Sequence, residues 1–357
     1  MNNEFFVTDE DSTVEGATQI KKPQHKDDKP YGGLQNTETL QDVANAPSPA
    51  GYVPVKLSSK GKLQGVPAIV HVRDYNGRDT LKLSMCTVDN QIETILDVVK
   101  NITYEDFDPM LLHENDLEEL LINVYVNYWG NALTDRPYPM TKEEFSDLSE
   151  EQRLSIEKGT WVPKTDIILS NLDSKVIADE FKEPFTITDN GVSVSFILPR
   201  VGHVVKASKL ISRKYIAQES RWQHINRLLQ KHRPKADTVD DFLREHLKED
   251  YFDYIQYSQD KTTELFLVKQ AQCIVAINGE QLQSIDEQIN RYDDVPLKIW
   301  EKLGGIQHEY SFGVNHYAKV KSPFSGKLEE RRLSFRFQDF FPSVRDASPS
   351  ECTVSFG

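Results

Sequence analysis

A chain of 357 residues with 38% hydrophobic side chains and a mean hydropathy of -0.54 has room for two or three modest domains and ample polar surface. Its formal net charge of -14 opposes general nucleic-acid binding and attachment to anionic membranes, because long-range repulsion acts against both. No run approaches the ~18 apolar residues of a membrane span, the start MNNEFFVTDEDS lacks the basic and apolar regions of a signal peptide, and the scattered Cys86, Cys273 and Cys352 give no disulfide framework, so synthesis in a reducing cytoplasm is expected.

Residues 1–50 read as a flexible arm. After Phe5, Phe6 and Val7 there is almost nothing to bury before Val53, a composition that cannot offset the entropy of ordering. The arm is either a floppy tail or a segment that orders against a neighbouring subunit, with Phe5 and Phe6 as its anchor.

Residues 51–130 read as a mixed α/β docking module. Pro54 to Gly65 is a Lys- and Gly-bearing loop, Ala68 to Arg73 a strand, and Asn76-Gly77 a turn. Helices are expected from Arg78 to Leu83 and, capped by Asp89, from Gln91 to Lys100. In the closing helix Leu117, Leu120, Leu121, Val124 and Tyr128 recur on one face. Asp116 is expected to cap its start, Glu118 and Glu119 to suit its dipole, and Gly130 to close it.

Residues 131–200 read as a β-rich insertion with an acidic helical excursion, TKEEFSDLSEEQ, and a hairpin turning at Asp189-Asn190-Gly191. Residues 201–305 read as a helical region. Arg200 to Lys235 carries ten Lys or Arg against Glu219, and Asp237 to Asp260 carries eight acids against Arg244 and Lys248. Helices whose opposite charges face each other explain this pattern better than a nucleic-acid surface, with only Trp222 and Tyr215 as stacking aromatics. Further helices are expected from Thr238, from Gln281 to Ile289, and from Val295 to Leu303, the last starting at Pro296 and stopping at Gly304-Gly305. Leu265–Ile277 suits a buried helix or strand. Residues 306–357 return to β: His316–Val320 and Arg332–Phe337 flank the turn Ser322-Pro323-Phe324-Ser325-Gly326, and Phe340-Phe341-Pro342 forms an aromatic plug. The fold class expected is therefore α+β, with a small mixed N-terminal module, a β-rich insertion, a helical middle and a C-terminal β-hairpin.

Chemistry is harder to find. The nine histidines lack the helical spacing of a zinc protease and there is no CxxC. Gly61-Lys62 and Gly326-Lys327 lack the rest of a phosphate loop, no GxSxG elbow is present, and neither Cys86 nor Cys273 stands in a nucleophile's context. These features argue against an enzyme, and no catalytic, cofactor or metal-ligating residue is assigned.

Two stretches carry a family resemblance. The first is PVKLSSKGKLQG…AIVHVRDYNGRDTLKL…ITYEDFDPMLLHENDLEELLINVYVNYWG; the second is VKSPFSGKLEERRLSFRFQDFFPS. Together they resemble the baseplate hub and hub-assembly proteins of T-even-type contractile-tailed bacteriophages. Those proteins show a P-x-x-G-K-like loop, a strand with an Arg, a D-x-L-L-x-x-D entry to a helix, and a C-terminal C-P-x-C-G turn. Here Ser322 and Ser325 replace the two cysteines while Pro323 and Gly326 match, so the turn implies a degenerate zinc ribbon that does not bind zinc. The resemblance implies a non-enzymatic structural component of a phage tail baseplate in the virion, made in the host cytoplasm. Its partners would be other tail or baseplate proteins, contacted through Phe5, Phe6, Trp129, Phe340 and Phe341. Membrane, nucleic acid and small-molecule substrate are not expected as partners. An assembly chaperone absent from the mature particle and a nucleic-acid adaptor using Arg200–Lys235 are the alternatives.

Overall fold

Val53–Lys56 (β1) and Ile69–Val72 (β2) pair antiparallel, Val53 opposite Val72, on either side of the Lys- and Gly-bearing loop. The computed structural model describes residues 48–86, 90–157, 160–232 and 239–341, and these form an α+β fold. Phe5, Phe6, Asp89, Thr238, Pro342 and Cys352 lie outside the described residues. Helix α1 (Gly77–Ser84) starts at Asn76, whose side chain accepts from the Arg78 and Asp79 N–H groups, a capping box that satisfies orphan donors of the first turn. Helix α2 (Gln91–Ile102) buries Ile95, Leu96, Val98, Val99 and Ile102.

Helix α3 (Glu114–Tyr128) is the axis of this half of the molecule. Leu117, Leu120, Leu121 and Val124 have no exposed surface, the face that their spacing predicts. Gly130 follows the helix at φ +119°. Its start differs from expectation: His113 is the cap, its Nδ1 accepting from the Asn115 N–H, and Asp116 lies in the first turn, fully buried. Replacing Leu121 by Ala is expected to lower unfolding stability by about 2–5 kcal/mol, since a buried Leu leaves both lost contacts and a cavity. An unchanged denaturation midpoint would contradict that packing.

The strands after α3 do not form a separate insertion. Ala132–Pro137 (β3) pairs with Lys164–Ile168 (β4) around a bulge, and a pair of short helices, Lys142–Asp147 (α4) and Glu150–Glu157 (α5), projects between them. Ser174–Lys175 (β5) pairs with a late strand, Gly313–Val314 (β10). The C-terminal hairpin is Tyr317–Lys321 (β11) against Leu328–Arg332 (β12). One apolar core joins residues from Val55 through Leu133, Ile167 and Ile177 to Phe335 and Phe341, so boundaries at 130 and 305 divide a single packing unit. Phe340 and Phe341, expected as partner contacts, are inside it. Phe340 packs on Tyr125 and Phe335, and Phe341 meets Tyr75 edge-on at 5.5 Å. Their apolar rings close the core over α3 in place of a second subunit.

A four-stranded sheet follows. Phe185–Asp189 (β6) and Val192–Phe196 (β7) turn at Asn190 and Gly191, both at positive φ, the conformation that a two-residue hairpin needs and Asn-Gly supplies. Ile274–Ile277 (β8) and Glu280–Gln281 (β9) continue the sheet, so two strands interrupt the helical region. Between these strand pairs run Val201–Lys214 (α6), Ile216–His232 (α7), Val239–Leu247 (α8) and Tyr251–Ala271 (α9). Their charges meet: Lys214 pairs with Glu264, Arg221 with Asp250 and Asp253, and Lys261 with Glu219. Trp222 and Tyr215 are buried among these helices. After Ile285–Asn290 (α10), Leu297–Glu309 (α11) runs straight through Gly304-Gly305. The apolar face of Ile299, Leu303 and Ile306 packs under the sheet on both sides of the glycines, and this burial outweighs the roughly 1 kcal/mol that each Gly costs.

Candidate docking surface

Two kinds of site emerge, one buried and polar, the other exposed and aromatic. The buried one begins in the loop after β1. Glu119 on α3 accepts from the Ser58 N–H at 2.7 Å and from its hydroxyl at 2.8 Å, and Asp116 accepts from the Ser59 N–H at 3.2 Å. The loop thus presents backbone donors to carboxylates of its own chain. Next to it Glu183 accepts from the Gln64 N–H, the Leu198 N–H and the Arg200 guanidinium, with both members of the ion pair out of solvent. Burial pushes the Asp116 carboxyl up to about 7, Ser59 and Arg200 pulling the other way without offsetting it. Glu118, one residue before Glu119, bonds His316 Nε2 at 2.9 Å, and that bond raises the His316 pKa.

Cys273 and His203 also meet here, Sγ to Nδ1 at 3.8 Å. A reactive thiol needs a stabilised thiolate and a base able to take its proton. Burial pushes the Cys273 thiol up to about 12, and burial with the Arg200 and Lys206 charges brings His203 down to about 3. His113, buried beside Arg200, falls to about 4. The thiol stays protonated and both imidazoles stay neutral near pH 7, so this arrangement packs and does not ionise. Among the described residues no group of three or more His, Cys, Asp or Glu is placed to hold a metal ion. The turn at Ser322 is held by hydrogen bonds: the Ser322 hydroxyl accepts from the Phe324 and Ser325 N–H groups, and the Gly326 N–H donates to the Ser322 carbonyl.

The exposed site surrounds Trp129, the predicted contact that the structure does place at the surface. Trp129 is 47% exposed and Tyr104 49%. The Trp129 indole N–H donates to Asp74 Oδ1 at 3.0 Å, and the same oxygen accepts from the Tyr75 N–H. Tyr128 donates its hydroxyl to the Val72 carbonyl, and Tyr52 meets Tyr104 edge-on at 5.4 Å. Burial and then the Asp74 charge hold the Tyr128 phenol above its ordinary range. Strand β2 and the end of α3 thereby bring Tyr52, Tyr104, Tyr128 and Trp129 together, with the polar ends of Tyr128 and Trp129 already engaged. Large rings held in place lose little entropy on binding, the property that makes Trp and Tyr frequent anchors of interfaces.

Sequence reasoning found Trp129 but not its neighbours, because Tyr52 and Tyr104 come from other elements and their mutual distance has no local signal. It also missed the buried acids, whose partners lie 57 to 61 residues earlier. Among the described residues no helix is long and apolar enough to cross a membrane. Comparison with known protein families, with curated proteins and with solved structures gives no match.

Proposed function

We propose that this chain is a non-enzymatic structural component of a contractile phage tail baseplate, acting through protein–protein contacts. The setting comes from the resemblance carried by residues 51–130 and by the Ser322–Gly326 turn. The docking role is supported chiefly by the aromatic cluster of Tyr52, Tyr104, Tyr128 and Trp129, in which Tyr104 and Trp129 are exposed and Asp74 holds the Trp129 indole. The buried polar groups do not compete with this reading, since their hydrogen bonds run to the chain itself. The basic stretch on α6 and α7 supports a nucleic-acid role less well, because several of its cations are paired and its aromatics are buried.

Quantitative mass spectrometry of purified particles against soluble lysate tests the proposal. A small whole-number stoichiometry in particles is expected; presence in the lysate alone would make the chain an assembly factor, and no association with particles would remove the phage reading. Trp129→Ala is expected to lower stability by only about 1 kcal/mol, the value of one exposed hydrogen bond, while reducing incorporation into particles. Normal incorporation of this variant would move the contact elsewhere.

A further inference from the structure

Helices α6 and α7 form one run broken only at Tyr215, and α9 lies antiparallel along both. At one end Gln272, just after α9, donates its side-chain N–H to the His203 carbonyl at 3.0 Å. In the middle Tyr215 meets Tyr257 at 5.9 Å. Towards the other end Tyr254 meets Trp222 at 5.6 Å and donates to Asn226 at 3.0 Å. An α-helix turns by about 100° per residue. Lys206, Lys209, Arg213, His224, Arg227 and Lys231 therefore fall within about 80° of arc on the side away from α9, and all six are exposed. The stripe runs for about 38 Å at a rise of ~1.5 Å per residue. Cations on the other side of the run are neutralised: Lys214 pairs with Glu264, and Arg221 with Asp250 and Asp253. On the stripe Lys209 alone has a carboxylate partner among the described residues, Glu93 at 2.6 Å. Glu219 is the single acid of residues 201–232, and it turns to Lys261 of α9.

Like charges three or four residues apart destabilise a helix, and Lys206–Lys209, Lys209–Arg213 and Arg227–Lys231 are all such pairs. An acidic chain with net charge -14 thus keeps a row of cations that its own fold opposes, the kind of local conflict that functional sites retain. An anionic partner removes the conflict. Duplex DNA brings one charge per ~1.7 Å of axis, about three times the density of a helix with one carboxylate per ~5.4 Å turn. Repulsion from the rest of this chain grows with that charge, and none of the stripe's residues is an aromatic that could stack on a base. At its centre stand Ala217 and Ser220, both exposed and small, which leave room for a second backbone. We propose that this stripe is a docking face for an acidic protein segment that presents Asp or Glu about once per helical turn. Arg213, Arg227 and Lys231 meet its carboxylates, and the segment lies along α6 and α7 opposite α9. The inference rests on the reading of this chain as a docking protein and is independent of the phage setting.

The test uses the full chain and three labelled probes of matched length: an alanine-based helical peptide with glutamate at every third or fourth position, its glutamine counterpart, and a DNA duplex. Fluorescence anisotropy in about 0.15 M salt, where surface charges beyond ~8 Å are screened, is expected to show binding of the glutamate peptide in preference to both others. The triple variant Arg213→Glu, Arg227→Glu, Lys231→Glu should weaken that binding roughly tenfold or more, the effect of three exposed ion pairs lost. Reversing three exposed lysines elsewhere, Lys100→Glu, Lys298→Glu and Lys327→Glu, changes the net charge equally and should leave the affinity within about twofold. Should the stripe reversal unfold the chain, Arg213→Gln, Arg227→Gln, Lys231→Gln gives the same comparison without new charge. Equal affinity for the glutamine peptide, tighter binding of the duplex, or a folded stripe variant no weaker than the control would each overturn the proposal. So would a concentration-dependent dimer that the stripe variant abolishes, because the occupant would then be a second copy. Glutamate-peptide binding by a chain that is absent from phage particles would uphold this inference while removing the phage reading, and presence in particles without peptide binding would do the reverse.

Discussion

Asp116→Asn is expected to make the protein more stable at pH 8 and to flatten the alkaline side of its stability profile. Asp116 has no exposed surface; Oδ1 accepts from the Ser59 N–H, and Oδ2 has no partner among the described residues. Its folded pKa is about 7 against an ordinary 3.8. A carboxyl raised in this way stabilises the fold at low pH and loses that contribution as pH rises through the folded value, because folding at pH 8 must bury its charge. The gap is worth on the order of 4 kcal/mol when fully expressed. Asparagine keeps the acceptor for Ser59 and carries no charge, and the Ser59 hydroxyl, itself unpartnered, can take its new donor.

The acidic side has the opposite cause. His113 and His203 are buried with pKa values of about 4 and about 3. Unfolded histidine binds a proton near 6.5, so stability from these two falls as pH drops below that value. Between pH 4 and 6.5 the two histidines oppose Asp116, joined at the acidic end by Glu114, whose carboxyl burial also raises, and stability falls on acidification from pH 6.5. Above 6.5 Asp116 dominates, assisted by His316, whose raised pKa contributes in the same direction. A maximum near pH 6.5 follows, with Asp116→Asn extending it upwards. Urea denaturation from pH 5 to 9 measures both. A destabilised Asp116→Asn at pH 8, or two superimposable profiles, would contradict the burial of an ionisable carboxyl at this position.

What could be read from sequence was local. The apolar face of α3 was legible because its spacing is set by one helix, and the β6–β7 turn because Asn190-Gly191 carries its own backbone preference. The same signal stands at Asn278-Gly279, also at positive φ, yet it went unread. The apolar run from Leu265 to Ile277 spans the end of α9 and all of β8, with no Gly or Pro where the helix stops. Gly304-Gly305 misled in the other direction, since tertiary burial of α11 overrides a weak helix preference. The acidic first turn of α3 suits a helix dipole on the surface as well as it suits a buried latch; only the arrival of Ser58 and Ser59 decides between them. Phe340 and Phe341 are the same case for apolar side chains, since closing a core and meeting a partner need identical residues. The candidate sites were the least legible part. The aromatic cluster is assembled from segments distant in sequence, and no periodicity records such a juxtaposition.

The second large effect concerns Glu183. Its carboxylate joins three elements: the loop after β1 through the Gln64 N–H at 3.0 Å, the exit of β7 through the Leu198 N–H at 2.6 Å, and the start of α6 through Arg200. Glu183→Leu leaves the Arg200 charge, already lacking a partner at Nη1, without a counterion inside the protein. A loss of about 3–5 kcal/mol is expected, the cost of breaking one side of a buried ion pair. Glu183→Leu combined with Arg200→Leu removes the charge that the single variant strands. The pair should therefore cost clearly less than the sum of the two single variants, with a coupling of at least ~1 kcal/mol for groups in direct contact. Denaturant midpoints of the four proteins give the coupling directly. Strict additivity would mean that Arg200 reaches solvent or another acceptor once Glu183 is gone. The backbone bonds to Gln64 and Leu198 would then account for the whole effect, and the joint between the β1 loop, the sheet and α6 would be held by hydrogen bonds without a buried charge pair.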